Sequence, residues 1–317
     1  MKRAFALLAL IECIFLFVVF AFESTASQQP DPAFNARVSD PAYAIRHPRA
    51  LFDEAHNNSH TADGTYKPFL DLIKSDGYLV SINEKRFSRQ SLAGYSVLII
   101  VNATGSQEKR ESPAFTKEEC DAVRDWVQAG GSLLLVIDHA PFNTPSAELA
   151  ARFSVDISPG FVIDKKNFNT ESDDQTEIIF SRDNSLLLKH PITEGRTAAE
   201  RVNRVITFSG VSVKGPDAGV QFLKLSSDAF DILRPEKEKV SDDPEAARVD
   251  WKQAPAGGRG QAVALEFEKG RVVVFGNAAA LTAQIGSKDI HYGMNVSGFG
   301  NRQLALNIMH WLSRLLK

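Results

Sequence analysis

Four residues of this 317-residue chain have types and settings suited to joint chemistry: Asp53, His56, Asp138 and His139. Each lies just beyond an apolar run. Ala50-Leu51-Phe52 leads into Asp53-Glu54-Ala55-His56-Asn57-Asn58, and Leu133-Leu134-Leu135-Val136-Ile137 leads into Asp138-His139. Two further runs end in amides, at Asn102 and at Gly276-Asn277. Two carboxylates and two imidazoles are a donor set for a divalent ion. Such an ion would lower the pKa of a bound water for hydrolysis. Without a metal, His56 or His139 could act as a general base oriented by a carboxylate. A third reading is structural: Asp and Asn at strand ends cap helices and close turns. All three stay open at the level of sequence.

These residues can meet only if the apolar runs are strands of one sheet. Short apolar runs at residues 50–52, 78–82, 96–101 and 133–137 read as strands. The stretch 66–75 carries Phe69, Leu70, Leu72 and Ile73 on one helical face, with Gly77 placed for a left-handed cap. Thr116 and Glu119 have capping-box spacing ahead of Cys120, Val123, Trp126 and Val127, and Gly130-Gly131 closes that helix. A helix is predicted over 145–153. The alternation argues for an α/β domain with a mostly parallel sheet and helices on both faces. In an open parallel sheet the carboxyl ends of the strands share one edge, where ligands bind. The predicted cleft is Asp53, Glu54, His56, Asn57, Asn58, Asn102, Asp138, His139 and Asn277.

The second half is richer in β-hairpins. Strands are predicted at 177–180, 205–208 and 221–225, and a hairpin joins 261–267 to 271–275 around Glu268-Lys269-Gly270. Residues 234–259, polar and bearing Gly and Pro, read as a mobile excursion, and 290–295 as a connecting loop. The last helix, over 301–316, shows Leu304, Ile308, Trp311, Leu312 and Leu315 on one face.

Composition bounds the function. The chain is 44% hydrophobic and 24% charged, with net charge -3. No Lys/Arg block exceeds two residues, so nucleic acid is not an expected partner. Lys2 and Arg3 precede an apolar stretch, 4–22, and small residues follow at Ser24-Thr25-Ala26. That layout predicts a signal peptide over 1–27, or an uncleaved membrane anchor formed by 4–22. Either places the rest outside the cytoplasm, secreted, periplasmic or membrane-tethered. Residues 28–47 read as a linker or extended arm, and 48–317 as the domain. Of the two cysteines, Cys13 lies in the export segment, so Cys120 has no disulfide partner once that segment is removed.

The strings Leu51-Phe52-Asp53-Glu54-Ala55-His56-Asn57-Asn58, Trp126-Val127-Gln128-Ala129-Gly130-Gly131-Ser132 and Asp138-His139 carry a resemblance. So do His190-Pro191-Ile192-Thr193, Gly276-Asn277-Ala278-Ala279-Ala280 and Asn301-Arg302-Gln303. Together they resemble an uncharacterised bacterial family related to the GldG/intraflagellar-transport-type (GIFT) domains. The resemblance spans about residues 48–316. It implies the class I glutamine-amidotransferase-like, flavodoxin-like fold. Catalytic members of that fold place a Gly-flanked cysteine after a central strand; here Asp138-His139-Ala140 stands instead. Cys120 lies inside a helix one element earlier. The resemblance therefore implies a domain without cysteine-dependent amidotransfer, one that binds a small ligand or partner protein at its strand ends. The alternative is a hydrolase, metal-dependent or not, using Asp53, His56, Asp138 and His139.

Overall fold

In a computed structural model of the protein, residues 28–106, 112–233 and 251–317 are described. The predicted export segment, 1–27, and most of the predicted mobile excursion lie outside them. Nine strands form the central sheet: β1 (Arg49–Asp53), β2 (Leu79–Asn83), β3 (Val97–Val101), β4 (Ser132–Val136), β5 (Asp156–Ile157), β6 (Val213–Lys214), β7 (Val220–Lys224), β8 (Gly260–Phe267) and β9 (Gly270–Phe275). Their order is β2-β1-β3-β4-β9-β8-β6-β5, with β7 also pairing to β8.

The sheet is mixed, which corrects the expectation of a mostly parallel one. From β2 to β9 every neighbouring pair is parallel. From β9 onward every pair is antiparallel. The reason is the link between β8 and β9. Only Glu268 and Lys269 separate Phe267 from Gly270, and so short a turn can only bring the chain back antiparallel. The parallel pairs are built by crossover helices instead: α1 (Lys67–Ser75) joins β1 to β2, and α2 (Lys117–Gln128) joins β3 to β4.

Helices cover both faces, as the sequence predicts. Alternate residues of each parallel strand enter different cores. Phe52, Ile99, Leu134 and Phe275 face one core together with Phe69 and Leu70 of α1 and Leu304 and Ile308 of α5 (Asn301–Leu312). Leu51, Leu98, Leu133 and Val274 face the other, with Cys120, Val123 and Val127 of α2 and Leu149 of α3 (Asn143–Ala151). Because these strands are buried on both sides, they read as unbroken apolar runs. Each such side chain contributes about 1.5–3 kcal/mol by leaving water.

The α2 capping box is present. Thr116 Oγ1 accepts from the Glu119 amide at 3.3 Å, and Glu119 Oε2 accepts from the Thr116 amide at 3.0 Å. Smaller sheets fill the second half. Ala229–Leu233 pairs with both Phe161–Asp164 and Lys252–Pro255, so the predicted excursion over 234–259 ends in a strand rather than a loop. His291–Gly293, read as part of a connector, pairs with Ala283–Ile285. The His190-Pro191 turn opens a one-turn helix, α4 (Pro191–Glu194).

Residues 28–47 form the arm rather than a linker. Gln29–Pro30 adds a strand to Gln284–Ile285. Phe34, Ala36 and Val38 pack against the larger core. The Ala42 amide donates to Asp76 Oδ1 at 2.9 Å. A Pro- and Ala-rich stretch with no periodicity can still bury apolar side chains by lying extended along a folded surface.

Candidate functional site

The register of the parallel half fixes where the polar residues fall. Phe52 aligns with Ile99, Val101 with Val136, and Val136 with Phe275. Asp53, Asn102, Asp138 and Asn277 therefore stand along one rim of the sheet, as predicted. There they divide into two clusters.

The first cluster is built on His56. Its Nδ1 lies 2.8 Å from Asp53 Oδ2 and its Nε2 2.9 Å from Glu119 Oε1. The imidazole is only 6% exposed and packs against the rings of Phe87 and Phe115, with centroids 4.6 and 4.7 Å away. Burial pulls its pKa down, but the hydrogen bonds and charges of Asp53 and Glu119 outweigh this and raise it. Glu119 moves the other way: burial opposes ionisation, yet His56 and the Thr116 and Phe87 amides lower its pKa. Asn83 Nδ2 donates to Asp53 Oδ1 at 2.9 Å. A carboxylate thus stands at each ring nitrogen, an arrangement that favours the charged imidazole. Both ring nitrogens are occupied, so this histidine has no lone pair for a metal or for a substrate proton.

The second cluster is built on Asp138. Its Oδ2 accepts from Asn102 Nδ2 at 2.8 Å, and its Oδ1 from the Ala278 amide at 2.8 Å and Asn277 Nδ2 at 3.1 Å. Asn102 Oδ1 accepts in turn from the Asp138 amide at 2.8 Å. Asn277 Oδ1 accepts from the Phe208 and Ala280 amides. His60 Nε2 stands 3.9 Å from Asp138 Oδ2. Burial raises the Asp138 pKa, and His60, the Ala278 amide and Asn102 bring it below the ordinary value. His139, although adjacent in sequence, turns away: its Nδ1 contacts the Ala140 carbonyl at 2.9 Å and its ring approaches Phe161.

The remaining predicted residues hold loops. Glu54 Oε1 accepts from the Ala62 amide at 2.6 Å, and Asn58 Nδ2 donates to the Val101 carbonyl at 3.0 Å. Asn57, at φ 50°, donates to the Gly105 carbonyl. Asp53, His56, Asp138 and His139 do not converge on one point. Among the described residues no group of three or more His, Cys, Asp or Glu is arranged to hold a metal ion. A recess of about 350 Å³ opens on the rim beside the first cluster, lined by His56, Asn57, Arg86, Gly105, Phe115 and Glu119.

Sequence reasoning missed Glu119, Asn83, His60, Phe87 and Phe115. Glu119 was visible only as half of a capping box. Its second carboxylate oxygen reaches His56 across 63 positions of chain, and no local signal announces that. Cys120 sits buried on the apolar face of α2, with its thiol pushed up to about 11 by burial. It is not placed or ionised as a nucleophile.

The fold that positions this rim has known counterparts. No family model matches the chain, and no curated protein matches it. Among solved structures, the mmIFT52 N-terminal domain is similar with a TM-score of 0.57 at 12% identity, over 84% of this chain and 97% of that one. Weaker likenesses include ThuA-like proteins from Bacteroides uniformis (TM-score 0.39, 14% identity, 89% of this chain and 95% of that one) and Parabacteroides merdae (0.42, 13%, 84% and 90%). At those TM-scores they add nothing to the argument. The first likeness bears on fold alone: the chain shares the α/β fold of that domain.

Proposed function

We propose that this chain is an extracytoplasmic, non-catalytic glutamine-amidotransferase-like domain that binds a small ligand or partner chain at its polar strand-end rim. One observation carries the reading. At the end of the central strand, where a nucleophile would be needed, Asp138 is held by Asn102, Asn277 and the Ala278 amide. The rim groups hydrogen-bond to one another and shape a surface; they are not free to attack a substrate. The recess beside His56 supplies a concave place for a ligand. The extracytoplasmic placement rests on the apolar segment 4–22 behind Lys2 and Arg3.

The alternative hydrolase, metal-dependent or not, has less geometric support. Asp53 and His56 belong to one cluster and Asp138 to the other, and His56 has no free nitrogen.

Thermal-shift screening of the purified protein against nucleotides, sugars, amino acids and divalent metals tests the proposal. A ligand at about one hundred times its Kd raises the folded state's stability by about 2.7 kcal/mol. Binding weakened by Arg86→Ala, an exposed residue lining the recess, with the free protein's melting temperature unchanged, supports the rim as the site. Turnover of ester, amide or glycosidic substrates that disappears in His60→Ala contradicts a non-catalytic role. Mass spectrometry of the cellular protein's N-terminus tests export and distinguishes cleavage from anchoring.

A further inference from the structure

One edge of the central sheet departs from the way exposed edges are normally protected. β2 is terminal in the strand order, and among the described residues no strand pairs with its outer side. Its register with β1 runs unbroken from Leu79 to Asn83, without a bulge. The sequence Leu-Val-Ser-Ile-Asn holds no proline, lysine or other charge. Those are the usual devices that keep an edge from pairing with another chain. Inward, the Leu79 amide donates to the Pro48 carbonyl and the Asn83 carbonyl accepts from the Glu54 amide. By strand alternation, the N–H and C=O groups of Val80 and Ile82 point outward.

Apolar surface collects along the same edge. Among the described residues the exposed large hydrophobics are Ile45 at 89%, Leu79 at 55%, Ile82 at 40% and Ile290 at 46%. The first three lie here, because the segment before β1 runs beside the start of β2: Tyr43 N donates to Asp76 O, and His47 Nδ1 contacts Gly77 O at 2.7 Å. The flanks are basic although the chain is net acidic. Arg46 and Lys74 are exposed near the amino end of β2, and Lys85 and Arg86 follow its carboxyl end, with Glu84 the one acid beside them. None of these four cations forms an ion pair with a described carboxylate.

We infer that β2 is a docking edge for an extended segment of a partner protein, apolar at alternate positions and acidic at its ends. The segment would add a strand through the outward groups of Val80 and Ile82, its alternate apolar side chains continuing the sheet face that carries Ile82, opposite the face of Leu79. Its acidic ends would meet Arg46 and Lys74 at one end and Lys85 and Arg86 at the other. Charge argues against a second copy as the occupant. Two-fold antiparallel pairing of β2 with itself would set Arg46 and Lys74 of one copy against Lys85 and Arg86 of the other. Arg86 also lines the recess beside His56, whereas Ile45, Arg46, Lys74, Leu79 and Ile82 lie outside its lining.

The full chain, titrated with a blocked synthetic peptide Asp-Asp-Val-Thr-Val-Thr-Val-Asp-Asp and with its counterpart bearing lysine in place of aspartate, tests this by fluorescence anisotropy. The acidic peptide is expected to bind at least about tenfold more tightly, less so at high salt. The paired change Arg46→Glu and Lys85→Glu, both at exposed positions, should reverse that preference while circular dichroism stays unchanged. Replacing the peptide's threonines by proline, which removes backbone donors, should abolish binding. Absence of binding, equal binding of the two peptides, or a preference that the paired change leaves intact would overturn the inference. So would a concentration-dependent dimer in sedimentation that Lys85→Glu strengthens, because the occupant would then be a second copy.

Discussion

Burial works against the charged form of His56, and the carboxylate at each of its ring nitrogens favours it. Its folded pKa lies above the ordinary 6.5. The stability this contributes is therefore fully present below 6.5 and is lost as pH rises through the folded value. Urea unfolding should show the protein losing stability from pH 6 toward pH 9, and His56→Gln should flatten that slope. His56→Ala leaves Asp53 and Glu119 without their cation and should lower unfolding free energy by about 3–5 kcal/mol. A pH-independent midpoint in the unmodified protein would contradict the assignment. Glu119 and Asp138 work in the opposite sense, since their pKa values are lowered. Their contribution is present above the ordinary carboxylate range and disappears as pH falls through the folded values. Cys120, with its thiol pushed up to about 11, should not react with a disulfide reagent at pH 7.5 until urea unfolds the chain. Rapid labelling of the native protein would show the thiol to be accessible.

At the scale of elements, α2 does two jobs from one residue. Thr116→Ala removes only the cap and should cost about 1 kcal/mol. Glu119→Ala removes the same box and also unpairs His56 and the Phe87 amide. Its effect in denaturant titration should be clearly the larger; equal effects would mean that the His56 contact contributes nothing. The arm is tied to the end of α1 through Gly77. That residue has φ +101°, and a Cβ there would come within 2.2 Å of the Tyr43 carbonyl oxygen. Gly77→Ala should destabilise by more than about 1 kcal/mol. It should also make the arm the first site of limited proteolysis, read by mass of the early fragments.

At the scale of the whole molecule, Asp138 joins elements that are far apart in the chain. It binds the end of β3 through Asn102 and the turn after β9 through Asn277 and Ala278. Loss of these bonds should be felt by the parallel half as a unit. In Asp138→Ala, native-state hydrogen exchange of the slowest amides in β3, β4 and β9 should accelerate together. Acceleration confined to residues 276–280 would show the cluster to be a local fastening.

The positions of β1, β2, β3, β4 and the β8–β9 hairpin were legible in the sequence, and so were the capping box of α2 and the apolar face of α5. Those features are local: they depend on the period of apolar residues, on a cap three residues from its partner, and on a turn of two. The alignment of Asp53, Asn102, Asp138 and Asn277 on one rim was also legible, because strand ends in a parallel sheet share an edge. What the rim residues do was not. Whether Asp138 meets His139, its neighbour in sequence, or Asn102 and Asn277 is decided by which loops approach. Only tertiary structure showed that His56 is closed between Asp53 and Glu119, that the sheet turns antiparallel beyond β9, and that residues 28–47 lie on the domain. A sequence states which side chains carry charge. Distances between segments remote in the chain decide which of those charges neutralise one another, and therefore which remain to act on anything else.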